Sequence, residues 1–363
     1  MKVLHCIPNM AGGGAERQLT YLVKEQLMLG HDAHVVLCAG GPNFARLRAT
    51  GATIHFLKGR GNHDPRLLIQ LYMLVGKLRP DIVQTWILQM DILGGLCAKM
   101  LGIPFILSER SSEEAYPQTL KWALRKRIAK WSAGIIANSS GGARYWNSIL
   151  PQQHECFVVP NAVPVDEIRS VEPHEPDCPG LPEEVPRILF VGRLSAEKRI
   201  DLLLEAFNAA SDRTRSVLIL CGQGEEEGAL RQRVYGNNRL RTRVFFLSYQ
   251  MNVWSLMKNC QLFVSLSSFE GSPNAVIEAA ACGLQLLLSD IPAHRETIGD
   301  DASYVSDNIE EIAERMVGLI EAFPHNAVLQ NGYFRPQLFP APHDVAAMVN
   351  RCYEKILDRQ VEV

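Results

Sequence analysis

Leu262-Phe263-Val264-Ser265-Leu266-Ser267-Ser268-Phe269-Glu270-Gly271-Ser272-Pro273-Asn274-Ala275-Val276-Ile277-Glu278-Ala279-Ala280-Ala281-Cys282-Gly283 passes from a strand signal into a helix signal. Leu262–Leu266 is the short apolar run of a buried strand. Ser, Gly and Pro then break the chain, and a small apolar helix follows. Glu270 lies in the loop and Glu278 two turns into the helix. A carboxylate among alanines on a helix packed to a sheet is costly to bury unless it accepts strong hydrogen bonds, which sugar hydroxyls would supply. A capping or salt-bridge role is the alternative for Glu278 taken alone. Backbone N–H groups of Ser272, Asn274 and Ala275 open the helix and suit a phosphate.

The same strand–loop–helix alternation extends in both directions. Strands are predicted at Lys2–Ile7, His34–Leu37, Asp81–Thr85, Phe105–Ser108, Gly134–Asn138 and Cys156–Pro160, with helices such as Ala15–Leu29 and 118–131 between them. A second series runs through Arg187–Val191, Val217–Cys221, Val244–Leu247 and Leu284–Leu288. Between the series, Pro164, Pro173, Pro176, Pro179, Pro182 and Pro186 exclude regular helix or central strand and mark residues 163–186 as a linker. Residues 1–162 and 187–340 therefore read as two doubly wound α/β domains with mostly parallel sheets. His343–Asp358, with apolar residues at helical spacing, reads as a closing helix within 341–363. Open α/β sheets bind ligands at the carboxyl ends of their strands, so two facing domains create a cleft between those ends.

The 363 residues suffice for two cores, and 47% hydrophobic with 21% charged residues excludes disordered, collagen-like and coiled-coil classes. No run reaches the ~18 apolar residues of a membrane span, and no signal-peptide pattern precedes Lys2, so a cytoplasmic protein is expected. Nine scattered cysteines without a Cys-x-x-Cys pair support neither a disulfide framework nor a structural zinc site. The net charge of −2 is unevenly divided: residues 1–162 carry 18 Lys and Arg against 10 Asp and Glu. A basic half joined to an acidic one implies an anionic partner for the basic half, whether membrane surface, phosphorylated substrate or nucleic acid. No recognised nucleic-acid module accompanies the charge, which argues against nucleic acid.

Two further loops carry chemistry. Gly12-Gly13-Gly14 lies between the first strand and a helix, where glycines let the backbone approach an anion; a tight βα turn is the plainer reading. Gly192-Arg193-Leu194-Ser195-Ala196-Glu197-Lys198 follows the first strand of the second domain, and Arg193 and Lys198 there would converge on a diphosphate. Lys121, Arg125, Lys126, Arg127 and Lys130, interleaved with Trp122, Leu124, Ile128 and Trp131, form a basic amphipathic helix. It suits an anionic membrane surface or a pyrophosphate-linked lipid, an ordinary surface helix being the alternative.

Together, Glu270-Gly271-Ser272-Pro273-Asn274 through Glu278 and Gly283, Gly192-Arg193-Leu194 through Lys198, and Gly12–Glu16 resemble, in order, the signatures of the retaining glycosyltransferases of family 4. These include bacterial polysaccharide and lipid-linked oligosaccharide enzymes. The resemblance spans essentially the whole chain and implies the GT-B fold, two facing Rossmann-like domains with a final helix crossing back to the first. It further implies that Arg193 and Lys198 bind the donor's diphosphate, Glu278 the ribose hydroxyls and Glu270 those of the transferred sugar. Backbone near Leu247 would read the nucleobase, Ser272 and Asn274 would contribute helix amides, and Gly13 and Gly14 would approach from the other domain. Cationic side chains would replace a metal, since the Asp-x-Asp of the other nucleotide-sugar transferase fold is absent, and no cofactor is implied. Where many members carry a histidine, this chain has Glu109-Arg110, both expected to face the cleft. A lipid-linked subgroup is similar in this stretch, with Glu-His. The implied reaction is transfer from a nucleotide-sugar, a UDP-sugar before others, to a surface polysaccharide or lipid-linked glycan, by a protein peripheral on the membrane. A small-molecule glycosyltransferase and a nucleotide-sugar epimerase are the alternatives.

Overall fold

The computed structural model of the protein describes residues 1–62, 64–116, 119–152, 154–182, 184–322 and 339–361. These form two compact units, Met1–Ala162 with Pro340–Val363, and Val163–Phe339. In the first, β1 (Lys2–Cys6), α1 (Gly14–Met28), β2 (Asp32–Leu37), α2 (Phe44–Ala49), β3 (Thr53–Phe56), α3 (Pro65–Leu78) and β4 (Ile82–Trp86) lead into α4 (Ile87–Leu101) and β5 (Phe105–Glu109). Then come α5 (Leu120–Ala129), β6 (Gly134–Ala137), α6 (Ser140–Ile149) and β7 (Cys156–Val158). The second contains α7 (Val165–Ser170), β8 (Arg187–Val191), α8 (Ile200–Ala210), β9 (Val217–Cys221), α9 (Glu227–Tyr235), β10 (Val244–Leu247) and α10 (Val253–Met257). It continues through β11 (Leu262–Ser265), α11 (Asn274–Ala281), β12 (Gln285–Ser289), α12 (Pro292–Ile298), β13 (Ser303–Val305) and α13 (Ile309–Glu321), before α14 (Pro342–Val361) returns to the first unit against α1.

Both sheets are parallel, ordered β3-β2-β1-β4-β5-β6-β7 and β10-β9-β8-β11-β12-β13. Each order reverses direction beside its first strand, between β1 and β4 and between β8 and β11, which opens a crevice at the carboxyl ends there. Central strands are buried on both faces, as a parallel sheet with helices on either side demands, and mostly apolar, although β4 and β5 also bury Gln84, Thr85, Ser108 and Glu109. One expectation fails: Val165–Ser170 is helical despite the surrounding prolines. Pro164 stands immediately before its first turn, where a missing N–H costs nothing, and Ile168 is fully buried in the second unit's core.

The first unit's core includes a buried polar chain beneath its switch point. The His5 Nε2–H donates to Gln26 Oε1 at 2.8 Å, and Nδ1 accepts from the Trp86 indole at 3.3 Å. The neutral ring thereby satisfies both nitrogens. Burial lowers the His5 pKa to about 4 against the opposing pull of Gln26. Because the folded pKa lies below the unfolded value, this stability is complete above pH 6.5 and lost as pH falls toward 4, about 3 kcal/mol in all. Denaturation followed by tryptophan fluorescence, with Trp86, Trp122, Trp131 and Trp146 in the first unit, should show that loss; His5→Asn should be less stable at pH 7 but less acid-sensitive by a similar amount. Equal acid sensitivity would contradict the assignment.

Candidate active site

In the second unit the two loops flanking the β8/β11 switch point are tied together. Lys198 Nζ, at the end of the short turn after β8, lies 2.5 Å from Glu270 Oε1 in the loop after β11, and the Ser267 hydroxyl donates to the same oxygen at 2.8 Å. Ser268 N–H donates to the Glu197 carbonyl at 2.9 Å, joining the loops by backbone as well. Burial raises the Glu197 pKa, but the Ser195 hydroxyl at 2.6 Å and the charges of Lys198 and Arg193 outweigh it and hold the carboxylate below its ordinary value. Arg193 is exposed beside it.

The loop after β9 completes the floor. Gly222 N–H donates to the Leu247 carbonyl at 2.9 Å, Gly192 N–H to Cys221 and Leu194 N–H to Gln223. A Cβ on Gly222, whose φ is +146°, would lie 1.9 Å from the Gly192 carbonyl oxygen. One on Gly224 would lie 2.1 Å from that of Leu194. Only glycine permits this approach. Leu247 therefore ends β10 with its carbonyl already accepting one bond. Ser272 precedes α11, Asn274 is its first residue, and Glu278 is 5% exposed one turn in, not two, because the helix begins only after Pro273. The structure thus places Arg193, Lys198, Leu247, Glu270, Ser272, Asn274 and Glu278 along the carboxyl ends of β8 to β11.

Sequence reasoning missed His294. It is fully buried, its Nδ1 lies 2.9 Å from the Ser289 carbonyl, and Ser289 Oγ donates to the Ser267 carbonyl at 2.7 Å, under the loop that carries Glu270. Burial lowers its pKa, with Glu270 and Lys198 both within electrostatic reach. No spacing in the sequence marks it.

In the first unit Gly13 and Gly14 sit at the start of α1, at the carboxyl end of β1. Glu109 requires correction: it does not face a cleft. It is fully buried and accepts from Arg125 Nη1 at 3.0 Å, the Trp146 indole at 2.6 Å, Ser111 N–H at 2.9 Å and the Tyr116 hydroxyl. Arg125 also donates through Nε to Asp91 Oδ2 at 2.7 Å, and the Thr85 hydroxyl to Asp91 Oδ1 at 2.6 Å. Arg125 therefore leaves the basic surface of α5 and stacks among Tyr116, Trp122 and Trp146. A charge in the interior survives only when paired and fully hydrogen-bonded, and this triad meets that requirement. The residue after Glu109 behaves differently: Arg110 lies over the Trp86 ring at 4.5 Å and donates through Nη1 to Asn161 Oδ1 at 3.1 Å. Just after Trp86, Ile87 is held at φ +69°, a strained value for a β-branched residue.

Residues 12–167 match the family model described as Glycosyltransferase Family 4, and residues 172–330 that described as Glycosyl transferases group 1. With these two models in tandem over two Rossmann-like domains, the chain belongs to the family 4-type glycosyltransferases of GT-B fold. Among curated relatives, the UDP-Gal:alpha-D-GlcNAc-diphosphoundecaprenol alpha-1,3-galactosyltransferase of Escherichia coli is 26% identical over 63% of this chain and 62% of its own. A Campylobacter jejuni N-acetylgalactosamine-N,N'-diacetylbacillosaminyl-diphospho-undecaprenol 4-alpha-N-acetylgalactosaminyltransferase is 34% identical over 31% of each. The chain spans under two thirds of the length of these relatives. Anabaena HepE, solved with UDP-glucose, shares the fold over 100% of both chains, with a TM-score of 0.77 at 17% identity.

Breaking the buried triad should be costly. Arg125→Met leaves Asp91 and Glu109 uncompensated, and unfolding in urea should show a loss of about 3–5 kcal/mol in the first unit. A change below about 1 kcal/mol would mean that the triad is not the anchor described.

Proposed function

We propose that this chain transfers a sugar, with retention of configuration and without a metal ion, from a UDP-sugar to a lipid-linked glycan. The observation that carries the donor half is the meeting of Lys198, Glu270 and Ser267 at the β8/β11 switch point, beside the amino terminus of α11. Lys198 and Arg193 stabilise the charge that gathers on the departing nucleoside diphosphate, an interaction strongest in the transition state. Glu270 accepts hydroxyls of the transferred sugar and Glu278 those of the ribose. The acceptor then attacks from the face the diphosphate leaves, and a phosphate oxygen takes its proton. Support for UDP comes from the neighbour solved with UDP-glucose and the relative named for UDP-Gal; support for the acceptor comes from the diphosphoundecaprenol named in the curated relatives.

Buried Arg125 takes no part in the membrane-facing surface proposed for α5. With Arg125 buried, the outward face of α5 holds Leu120, 86% exposed, with Lys121, Leu124 and Arg127, and Lys130 and Trp131 are exposed in the turn that follows. Cations beside apolar side chains of this kind favour the interface of an anionic bilayer. No helix among the described residues is long and apolar enough to cross a membrane.

Two measurements test this reading. In EDTA, one UDP-sugar should protect the protein against thermal unfolding, by about 2.7 kcal/mol at a hundredfold its Kd. Protection that appears only on adding a divalent cation would contradict metal independence, and protection by no nucleotide-sugar would contradict the donor assignment. The protein should also sediment with phosphatidylglycerol-containing vesicles, and Lys121→Glu with Lys130→Glu should release it. Failure of the unsubstituted protein to sediment would favour a soluble acceptor.

A further inference from the structure

The donor chemistry leaves unused a second polar cluster at the carboxyl ends of β5 and β6. Arg110 is fixed in plane by Trp86 and in rotation by Asn161, which takes Nη1. Its Nε is buried and has no partner. Nε and Nη2 form the edge of a guanidinium that grips two oxygens of one phosphate in parallel. Burial lowers the Arg110 pKa to about 10, with Glu109 opposing, so the group stays charged at neutral pH. An immobilised cation with a buried, unpaired donor is costly unless an anion completes it.

Asn138 stands beside it. Glu109 pairs with Ala137 in the sheet, and Asn138 N–H donates to the Glu109 carbonyl at 3.1 Å, so Arg110 and Asn138 are the next residues on neighbouring strands. Glu109 and Ala137 face α6, where both approach Gly142, so alternation turns Arg110 and Asn138 to the opposite face. Asn138 is 5% exposed, and its Oδ1 is buried without a partner. It stands directly before Ser139, which caps the ten-residue α6 by accepting from Gly142 N–H at 3.1 Å.

We propose that Arg110 and Asn138 form a subsite for the glycosyl phosphate end of the acceptor. The phosphate oxygens seat on the Nε/Nη2 edge of Arg110, and a sugar hydroxyl donates to Asn138 Oδ1. This deepens the proposed function, since it rests on the acceptor being a phosphate-linked sugar. A prenyl diphosphate glycan and a soluble sugar phosphate share that chemistry.

α-D-Glucose 1-phosphate is the first probe, titrated calorimetrically against the full chain. Arg110→Met should weaken its binding about tenfold or more, as expected for a lost charge-assisted bidentate contact. Asn138→Ala should weaken it by a smaller factor, and Arg110→Lys, which keeps the charge but not the fork, should fall between Arg110→Met and the unsubstituted protein. Arg193→Ala, altered in the other unit, should retain it. Undiminished binding by Arg110→Met and Asn138→Ala, no binding by the unsubstituted protein, or loss in Arg193→Ala would each overturn the subsite. UDP titrated in the same series tests the donor assignment separately. Tighter, Arg110-dependent binding of a short-chain prenyl diphosphate-linked N-acetylglucosamine would assign the subsite to lipid-linked acceptors, and equal affinity to soluble sugar phosphates.

Discussion

The ion pair between Lys198 and Glu270 is the interaction on which the candidate site of the second unit turns. It joins loops from β8 and β11, the two strands between which the sheet order reverses, and so spans the crevice that the topology creates. Both side chains are mostly but not wholly buried, 19% and 16% exposed, so the pair is stronger than a surface contact yet still open to exchange. In the proposed function, a diphosphate, which carries more negative charge than one carboxylate, competes for Lys198. In the proposed cycle, that exchange frees Glu270 to accept sugar hydroxyls as the donor arrives. Gly222 and Gly224 let the β9 loop lie against the β8 loop without side chains between them.

The first unit handles charge in two ways within two residues. Glu109 is consumed by architecture, saturated by four donors and locked to Asp91 through Arg125. Arg110 is held by stacking and one amide while an edge remains unpaired. Strand alternation separates them, sending consecutive side chains to opposite faces of the sheet. The buried triad fixes β5, α4 and α5 together, which holds Arg110 and the exposed face of α5 on one rigid frame. A strained Ile87 after Trp86 is consistent with a segment shaped for position over local comfort.

Much of this was legible in the sequence. The strands β8 and β9, inside the second sheet, coincide with their predicted ranges because strands buried on both faces form compact apolar runs, and β10 at the sheet edge coincides as well because all four of its residues are apolar. The edge strands β3 and β13 are not anticipated, since each has only three or four residues and polar Thr53, His55 and Ser303 interrupt the apolar run. Prolines near α7 masked a helix that starts where proline is harmless. Glu270, Lys198 and Glu278 were identifiable because polar groups beside a strand end and within an alanine-rich helix demand partners. The Lys198–Glu270 pairing was not, because both had been assigned to the ligand and local sequence does not record contacts seventy-two residues apart. Arg125 failed for a related reason: helical spacing gives it the same basic face as Lys121, and only Asp91, a lone acid in the apolar α4, hinted at a buried counter-charge.

The central claim is that Glu270 restrains Lys198 until a diphosphate replaces it. UDP affinity measured by titration calorimetry for the unsubstituted protein, Glu270→Gln and Lys198→Met tests it directly. The account predicts that Glu270→Gln binds UDP at least as tightly as the unsubstituted protein, because Lys198 is released, while Lys198→Met binds it more weakly. Loss of UDP affinity by the same factor in both variants would contradict it.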